Sequence, residues 1–405
     1  MKKKVKKERR SLFSKIFGDE KNTTPPSTAT SFQFLNGYKP FFTNYNSQDY
    51  DSPDVRSCID TIARNAAKLN PKHQRYGKNG YENVNDNLQR LLQFKPNELQ
   101  NAYKFYYQVV SELELYNNSF VYILRDDNMR ILGLYPLHYS TLKFYEYQHE
   151  IYLQFRFNRG KTRFVALKDC IHLTRFIDEE GGLMGGNSTP IFKTLTLKHI
   201  MDEGIINAIR TTQAIKGVIK STKALLKPED VKKMRDEFIN DFINDNDGIG
   251  IGGLDASSDF FPIKLEPATA TAEERKNNDE KIMSYYGINQ NIIQSKFSED
   301  EWNAFYESIL EPIGLQMSLE FTNKLFSATE LAHGNQIIFT SNRLQYASNS
   351  TKINLLQHAN NVMQIDELRE VLNLEPLPNG EGQKIMQDLN HINSQIADSY
   401  QKGES

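Results

Sequence analysis

The sequence predicts an α+β fold in which a mixed helical and β-rich part precedes a set of long helices. Apolar residues follow helical spacing over residues 54–69 and 102–115. Short runs rich in β-branched and aromatic residues then occupy residues 120–174 and are separated by turn residues. From residue 190 onward, long helical patterns surround a compact excursion. These observations predict that residues 34–180 form an α+β domain with a mainly antiparallel sheet.

The composition permits a packed core and excludes several classes of protein. The chain has 405 residues, of which 39% are hydrophobic and 11% aromatic, and a disordered chain would lack those aromatic residues. Two cysteines, Cys58 and Cys170, are too few for a disulfide framework or a cysteine-based zinc site. No apolar run approaches the roughly 20 residues of a membrane-spanning helix, and no signal peptide is recognised. We therefore expect a soluble protein made inside the cell.

Charge is distributed unevenly along the chain. The whole sequence has a net charge of −2, whereas residues 1–15 contain eight basic residues and one acidic residue, a net charge of +7. The rest of the chain therefore has 41 basic and 50 acidic residues, a net charge of −9. Residues 1–31, the basic arm and its Pro/Ser/Thr-rich linker, are predicted to be disordered. The arm could contact nucleic acid, an anionic membrane or an acidic protein surface, or serve only as a solubilising tail.

A second interpretation of the arm is that the chain is a peripheral membrane or nucleic-acid-associated binding protein. In that case a short amphipathic helix would present Leu12, Phe13, Ile16 and Phe17 on one face. Arm-dependent binding to lipid vesicles would distinguish this alternative.

The elements of the first part can be assigned in chain order. The helix over residues 54–69 has Cys58 on its apolar face, where a small buried hydrophobic residue is expected. After the second helix, His172 lies between Ile171 and Leu173 of a predicted strand and is expected to be a hydrogen-bonded structural histidine. The predicted strands comprise residues 120–124, 131–135, 141–147, 151–157 and 164–174.

Two long helices are predicted on either side of a small α/β excursion. The first comprises residues 190–213, about 36 Å at 1.5 Å per residue, and the second residues 270–286. Between them, a helix should begin at Pro228, because proline favours the first helical position and acidic residues follow it. Strands are predicted at residues 215–219 and 260–265.

The remaining part of the chain is predicted to be a polar loop followed by a third long helix. The loop comprises residues 287–300, and the helix from Glu301 should be kinked at Pro312. A strand at residues 336–339 and a polar, helical C-terminus follow. One side of the long helix is formed by Trp302, Tyr306, Ile309, Ile313 and Met317.

The sequence contains no motif that predicts catalysis, a metal ion or a cofactor. Residues 248–253 match G-x-G-x-x-G, but a helix is predicted before them and a strand after them, the reverse of a dinucleotide site. Residues 181–186 lack the Lys-Ser/Thr end of a P-loop and are predicted to be a flexible loop. Residues 245–248 resemble a calcium loop that lacks its first and last carboxylates. No enzyme is expected, although a nucleotide-dependent enzyme using the glycine stretch remains an alternative.

Several short motifs follow one another in a characteristic order along residues 11–380. They are Ser11-Leu-Phe-Ser-Lys-Ile-Phe17, the apolar pattern from Val55 to Leu69, Leu91-Leu92 with Pro96-Asn97, Leu115-Tyr-Asn-Asn-Ser119-Phe-Val-Tyr-Ile123, Leu134-Tyr-Pro136-Leu137, Ile171-His172, Gly186-Asn-Ser188-Thr-Pro190-Ile191, Glu273-Glu274-Arg275, Tyr285-Tyr286-Gly287-Ile288, Leu310-Glu-Pro312 and Ile365-Asp366-Glu367-Leu-Arg369. In this order they resemble the portal proteins of long-tailed bacteriophages and prophages. Asn117 and Asp366 depart from the family pattern, and Asn289 and Asn291 stand near an expected proline.

The resemblance implies the portal fold, with an α+β wing, a two-helix stem, a small α/β clip, a long kinked helix and a short helical crown. By this resemblance the arm and linker (residues 1–31) precede the domains. The domains are the wing (32–189 and 301–349), the stem (190–213 and 268–287), the clip (214–267), a tunnel loop (288–300) and the crown (350–405).

The resemblance also implies a function and a set of partners. Copies of the chain, usually twelve, would form a ring at one capsid vertex, through which double-stranded DNA is packaged and ejected independently of sequence. Expected partners are the terminase large subunit, which supplies the ATPase, a head–tail adaptor, and the major capsid and scaffold proteins. Neither a cofactor nor a membrane partner is expected. The protein would be assembled in the host bacterial cytoplasm and reside in the virion.

Three groups of candidate site residues follow from the resemblance. A mixed-charge lining suits a channel that must not hold DNA, because duplex DNA carries about one charge per 1.7 Å. A solvated helix with ion pairs between residues four apart, and a loop that merely links two helices, are the alternatives. The channel-lining candidates are Glu273, Glu274, Lys276, Asp279 and Glu280, the DNA-facing tunnel-loop candidates are Gln294, Ser295, Lys296, Phe297 and Ser298, and the terminase or adaptor contacts in the clip are Lys220, Lys223, Lys227, Lys232 and Arg235.

Overall fold

A computed structural model divides the chain into two compact units. One unit combines residues 1–191 with residues 282–405, and the other comprises residues 192–281. The residues that the structure describes are 30–31, 52–77, 80–147, 149–157, 161–176, 184–186, 189–213, 217–221, 227–242, 258–262, 269–340, 353, 356, 363–371 and 374–385. The basic arm and the glycine-rich residues 248–253 lie outside these ranges.

Three helices form the first part of the larger unit: α1 (Pro53–Ala66), α2 (Asn87–Gln93) and α3 (Ala102–Tyr116). Helices α1 and α3 were predicted and pack against each other, whereas α2 was missed. The side chain of Asn101 caps α3, and α3 ends at Asn117, whose φ of 56° is left-handed. Asparagine tolerates this conformation better than most residues, which explains why it can end the helix here.

The strands of the larger unit form three antiparallel sheets with the orders β1-β6-β7-β8, β5-β4-β9 and β12-β2-β3. The predicted run over residues 164–174 is two strands in different sheets, because a 3-10 turn at Leu167–Asp169 redirects the chain. The strands are β1 (Thr30–Ser31), β2 (Asn70–Gly77), β3 (Gly80–Asn83), β4 (Asn118–Arg125), β5 (Ile131–Pro136), β6 (Thr141–Tyr147), β7 (Glu150–Arg156), β8 (Thr162–Ala166), β9 (Cys170–Thr174) and β12 (Asn335–Thr340).

The core of this unit buries both cysteines, and the predicted structural histidine packs against it half-buried. Burial raises the pKa of Cys58 to about 12, and that thiol is free and inert, as predicted. The His172 Nε2 lies 3.0 Å from the Asn118 Oδ1, and the His172 ring stacks on Phe120 at 4.0 Å between centroids. Burial lowers the pKa of His172 to about 3. The histidine is therefore neutral and structural, which confirms the prediction.

The smaller unit contains most of a helix pair and a two-stranded sheet. Helix α4 (Thr189–Gln213) begins three residues before this unit, and helix α6 (Ala272–Tyr285) ends four residues after it. Between them lies helix α5 (Pro228–Phe242), which begins at the predicted proline. Strands β10 (Gly217–Ser221) and β11 (Ser258–Pro262) pair antiparallel. The predicted helices and strands are present, with the strands displaced by about two residues.

The segment after α6 is more ordered than predicted. Residues 287–300 contain a short helix, α7 (Gln290–Ile293), whose Ile292 is buried, so the segment is not a simple polar loop. The following helix begins at Glu299 rather than Glu301, because Ser298 and Glu301 form a reciprocal capping box.

Just before Pro312, where a kink was predicted, the long helix contains a π-helical turn. The long helix is divided into α8 (Glu299–Phe305), the π turn Tyr306–Leu310 and α9 (Glu311–Leu325). Proline has no N–H for the carbonyl four residues earlier and crowds it. The wider turn immediately before Pro312 relieves that conflict, and Glu311 N donates to Tyr306 O across five residues.

After α9 the chain pairs again with the first part of the larger unit. Helix α10 (Ala328–Ala332) leads into β12, which pairs with β2. Further on, helix α11 (Ile365–Val371) contains the motif that resembles the family. Its Asp366 Oδ1 accepts from Leu377 N at 2.8 Å, and Arg369 Nε donates to Glu375 O at 2.7 Å. These side chains hold Glu375 and Leu377 beside the helix.

Candidate subunit and channel surfaces

Helices α4 and α6 contact each other through polar side chains. Within the smaller unit, Lys198 Nζ lies 2.6 Å from Asp279 Oδ1, and Asn278 Nδ2 donates to Thr194 O at 3.3 Å. Asn278 is 2% exposed, so this bond is made away from water. A lysine–carboxylate pair at such a contact holds the two helices in register.

The channel-lining candidates on α6 do not all play the same role. Asp279 pairs with Lys198 and faces α4, so its charge is neutralised rather than presented to a channel. Glu274 accepts from Thr271 N at 2.8 Å, and these bonds at the start of α6 lower its pKa. Lys276 and Glu280 are exposed and four residues apart in sequence. The Lys276 Nζ lies 3.8 Å from the Glu280 Oε1, as an ion pair. This pair is the pattern that the alternative of a solvated helix also predicts.

Helix α4 exposes large apolar side chains in more than one direction. Leu197, Ile200 and Ile206 are 43%, 58% and 48% exposed. At about 100° per residue, Ile200 lies roughly 60° from Leu197 and roughly 120° from Ile206 around the helix. Leu197 and Ile200 belong to the apolar pattern that predicted this helix. A single chain nevertheless does not bury them.

The tunnel-loop candidates form a packed and capped turn. Lys296 N donates to Asn291 O at 2.9 Å, Ser295 has a φ of 58°, and Gln294 caps the end of α7. The ring of Phe297 lies 5.0 Å from that of Trp302, and Ser298 caps α8. All five side chains nevertheless remain exposed.

The charge around Lys296 is mixed. Three acidic residues, Glu299, Asp300 and Glu301, occupy the first turn of α8 directly after it. Hydrogen bonds from Asn291 and Ser298 lower the pKa of Glu301. Deleting residues 294–298 would also remove the cap of α8. Substitution of Lys296 is therefore a cleaner test of DNA contact than the deletion.

The clip candidates are only partly within the described residues. Lys227, Lys232 and Arg235 are exposed at and on α5, together with the acidic Glu229 and Asp236. Arg235 pairs with Asp236. The helix is therefore of mixed charge rather than a basic patch. Lys223 and the side chain of Lys220 lie outside the described residues.

The sequence missed a buried polar junction at Arg175 and Glu114. Glu114 is 4% exposed although it belongs to the predicted helix α3, and its Oε2 lies 2.9 Å from Arg175 Nη1. The only sequence signal is a carboxylate in an apolar helix. Nearby, Gly185 was predicted to belong to a flexible loop, but it is packed so closely that a Cβ there would lie 1.9 Å from Asn117 O.

Two kinds of site are absent from the described part of the chain. None of its helices is both long and apolar enough to cross a bilayer. Among the same residues, no group of three His, Cys, Asp or Glu side chains is placed to hold a metal ion.

A family model described as phage portal protein matches residues 53–373. The chain belongs to the phage portal protein family. No curated protein matches it at a significant level. This portal protein is similar to a chain in the virion of a native gene transfer agent (13% identity, TM-score 0.59) and to one in the neck of an empty particle of that agent computed with C6 symmetry (14%, 0.55). Each likeness covers 84% of this chain and 96% of the other.

A similarity to the HK97-family phage portal protein of Corynebacterium diphtheriae has 14% identity and a TM-score of 0.49, and it covers 74% of this chain and 96% of that one. The family match and the particle structures confirm the α+β portal fold predicted from the sequence. The function of the chain is that of a portal protein, a structural component of a phage particle.

Proposed function

We propose that this portal protein closes into a ring of twelve copies at one capsid vertex and surrounds the path of double-stranded DNA. Residues 190–213 and 268–287 would be its stem, residues 214–267 its clip and residues 350–405 its crown. The twelvefold number agrees with a neck of a native gene transfer agent particle that was computed with C12 symmetry, one chain of which is similar in fold (TM-score 0.56).

The observation that supports the ring is the exposure of apolar side chains on separate flanks of α4. Leu197 and Ile200 on one side and Ile206 on another are each more than 40% exposed. A helix in a ring has two neighbours, and each neighbour presents the opposite flank. Heterologous contacts of this kind generate closed rings, whereas a twofold dimer would need one self-complementary patch.

The charge of α6 suits a channel that does not hold its cargo. At 1.5 Å per residue its 14 residues extend about 21 Å, a length of duplex with about 12 phosphates. Glu273, Glu280 and Lys276 are exposed along this length. Since each neutralised phosphate strengthens DNA binding, mixed charge keeps the contact weak and independent of sequence.

The partners would be those of a packaging vertex. Lys227, Lys232 and Arg235 would contact the terminase large subunit and later a head–tail adaptor, and the wing would contact the capsid and scaffold proteins. Terminase would supply ATP hydrolysis, and the portal itself would turn over no substrate. Assembly would take place in the host cytoplasm.

The ring can be tested by placing a charge on one flank of α4. We expect Ile200→Asp to abolish rings, because an unpaired charge is costly to bury at a contact between subunits, while the secondary structure by circular dichroism is kept. Glu203→Gln changes an exposed charge on the polar arc between the two flanks, about 60° from both Ile200 and Ile206, and is the control that should still form rings. The assembly state of both variants is measured by light scattering after size exclusion and by negative-stain images. Intact rings in Ile200→Asp would refute the interface.

A further inference from the structure

The backbone of Arg175 holds the segment that leads into α4. Arg175 N donates to Asn117 O at 2.8 Å, and Gly186 N donates to Arg175 O at 3.1 Å. Asn117 Nδ2 also donates to Gly186 O at 2.9 Å. These bonds fix Gly186 three residues before α4 begins. Gly185 fits there because it has no Cβ to meet the Asn117 carbonyl.

The side chain of the same arginine holds the end of α6. Arg175 Nη2 donates to Tyr285 O at 2.7 Å. This carbonyl is among the last four of the helix, which have no partner within it, and a cation there also interacts favourably with the helix dipole. Gly287, with a φ of 68°, ends the helix, and Ile288 N closes it by donating to Met283 O at 3.1 Å.

The guanidinium group is enclosed on its other sides. Arg175 Nη1 lies 2.9 Å from the buried Glu114 Oε2, close enough for an ion pair although the two groups fall short of hydrogen-bond geometry. The guanidinium carbon lies 4.6, 5.0 and 5.2 Å from the ring centroids of Phe176, Tyr285 and Tyr286. Aromatic faces attract a cation. Lysine could supply the charge but not the planar fork that reaches two acceptors while stacked on rings.

We propose that Arg175 is a positioning residue that anchors both ends of the stem excursion to the wing. Its backbone holds the residues just before α4, and its side chain holds the last turn of α6. A force on either helix, such as one exerted by DNA moving through the channel, would be passed to the wing through this residue. The mechanical part of this inference rests on the proposed portal ring, but the anchoring itself does not.

Arg125 provides a matched control within the same unit. Its Nη2 donates to the carbonyl of Lys324, near the end of α9, at 2.7 Å, and its Nε lies 3.6 Å from Asp169 Oδ1. The side chains of Arg125 and Arg175 are both 17% exposed. Arg125 thus makes the same kinds of contact at a helix end that belongs to neither α4 nor α6.

The test is hydrogen exchange on the full-length protein in its native assembly, with Arg175→Lys and Arg125→Lys compared to the wild type. We expect the peptide covering residues 282–288 to exchange about tenfold faster or more in Arg175→Lys, since a hydrogen bond to a charged group is lost, while residues 184–191, which the backbone of residue 175 holds, should change less. In Arg125→Lys those peptides should be unchanged. Unchanged exchange in Arg175→Lys, or an equal increase in Arg125→Lys, would overturn the anchoring.

A second variant covers the case in which Arg175→Lys does not fold. Glu114→Gln keeps the shape of the side chain and removes its charge, so we expect a smaller increase in exchange over residues 282–288. Negative-stain images of each sample report assembly separately. Rings with unchanged exchange would reject the anchor alone, whereas faster exchange in a protein that never forms rings would reject the portal ring and leave the anchor standing.

Discussion

Among the side chains that the structure describes, those of the larger unit form a buried apolar core, whereas large apolar residues of α4 in the smaller unit are exposed. In the larger unit, Phe105, Phe120, Phe155 and Phe321 are completely buried. In the smaller unit, the long helix α4 leaves several of its large apolar residues about half exposed. The first unit therefore contains the core that stabilises a single subunit. The second unit has exposed apolar surface, which we propose is buried by other copies in the ring.

The largest effect is expected from a cavity in the core of the larger unit. Phe120 packs edge-to-face on Tyr139 and Phe155, with ring centroids 5.5 and 5.4 Å apart, and stacks on His172. Replacing it with alanine should lower the free energy of unfolding by about 3–5 kcal/mol, because transfer and cavity costs add. Urea unfolding of dissociated subunits would measure this change.

The matched substitution in the smaller unit is Ile206→Ala. Because this side chain is 48% exposed in one chain, we expect its loss to change subunit stability by less than about 1 kcal/mol but to weaken the ring. A large loss of subunit stability would show that α4 is buried within the subunit. The comparison between the two units would then fail.

The helices within the excursion and on both sides of it could be predicted because their evidence is local. Pro228 with its acidic neighbours begins α5, and apolar spacing identifies α4. Strand β2 could not be predicted, since it lacks alternation and pairs with residues 335–340, far away in sequence. Helix α2, which follows β2 and β3 in the chain, was also missed. It is only 7 residues long and is capped by Asp86.

The candidate site could be located by sequence only at the level of whole elements. The roles of Asp279 and Arg175 depend on partners in other elements, Lys198 and the Tyr285 carbonyl. Such contacts leave no periodic signal in the sequence. The exposure of Ile200 is a property of the folded surface, because the same residue type in the same helical pattern also occurs in closed cores.

The next effect is a pH dependence that the buried part of the larger unit should show. Glu112 is 8% exposed, and burial raises its pKa to about 7, although Gln108 Nε2 donates to it at 2.9 Å. His138 Nδ1 lies 3.9 Å from its Oε1, and burial lowers the pKa of that histidine. The folded protein therefore holds a proton on Glu112 at a pH where the unfolded chain has lost it.

The sign of the effect follows from this raised pKa. The free energy of unfolding should fall as the pH rises from about 4.5 to about 7, by about 3 kcal/mol in total. Glu112→Gln should remove most of this fall and should be more stable than the wild type at pH 8. Urea unfolding of both proteins at pH 5 and pH 8 measures the change in the free energy of unfolding. Glu273→Gln, on an exposed residue of the smaller unit, is the control and should leave the pH dependence as it is.

The smallest effect concerns the turn that joins α6 to the long helix. Ser298 and Ser327 each form a capping box, at α8 and α10, and replacing either with alanine should lower the free energy of unfolding by about 1 kcal/mol. The two variants should differ in where they loosen the chain. Ser298→Ala should speed hydrogen exchange over residues 294–302, whereas Ser327→Ala should leave that segment unchanged.

If DNA packaging falls only with Ser298→Ala while both variants are equally stable, the fold of this turn matters to the channel and not merely to the subunit. An equal loss of packaging in both variants would make the turn an ordinary link between two helices.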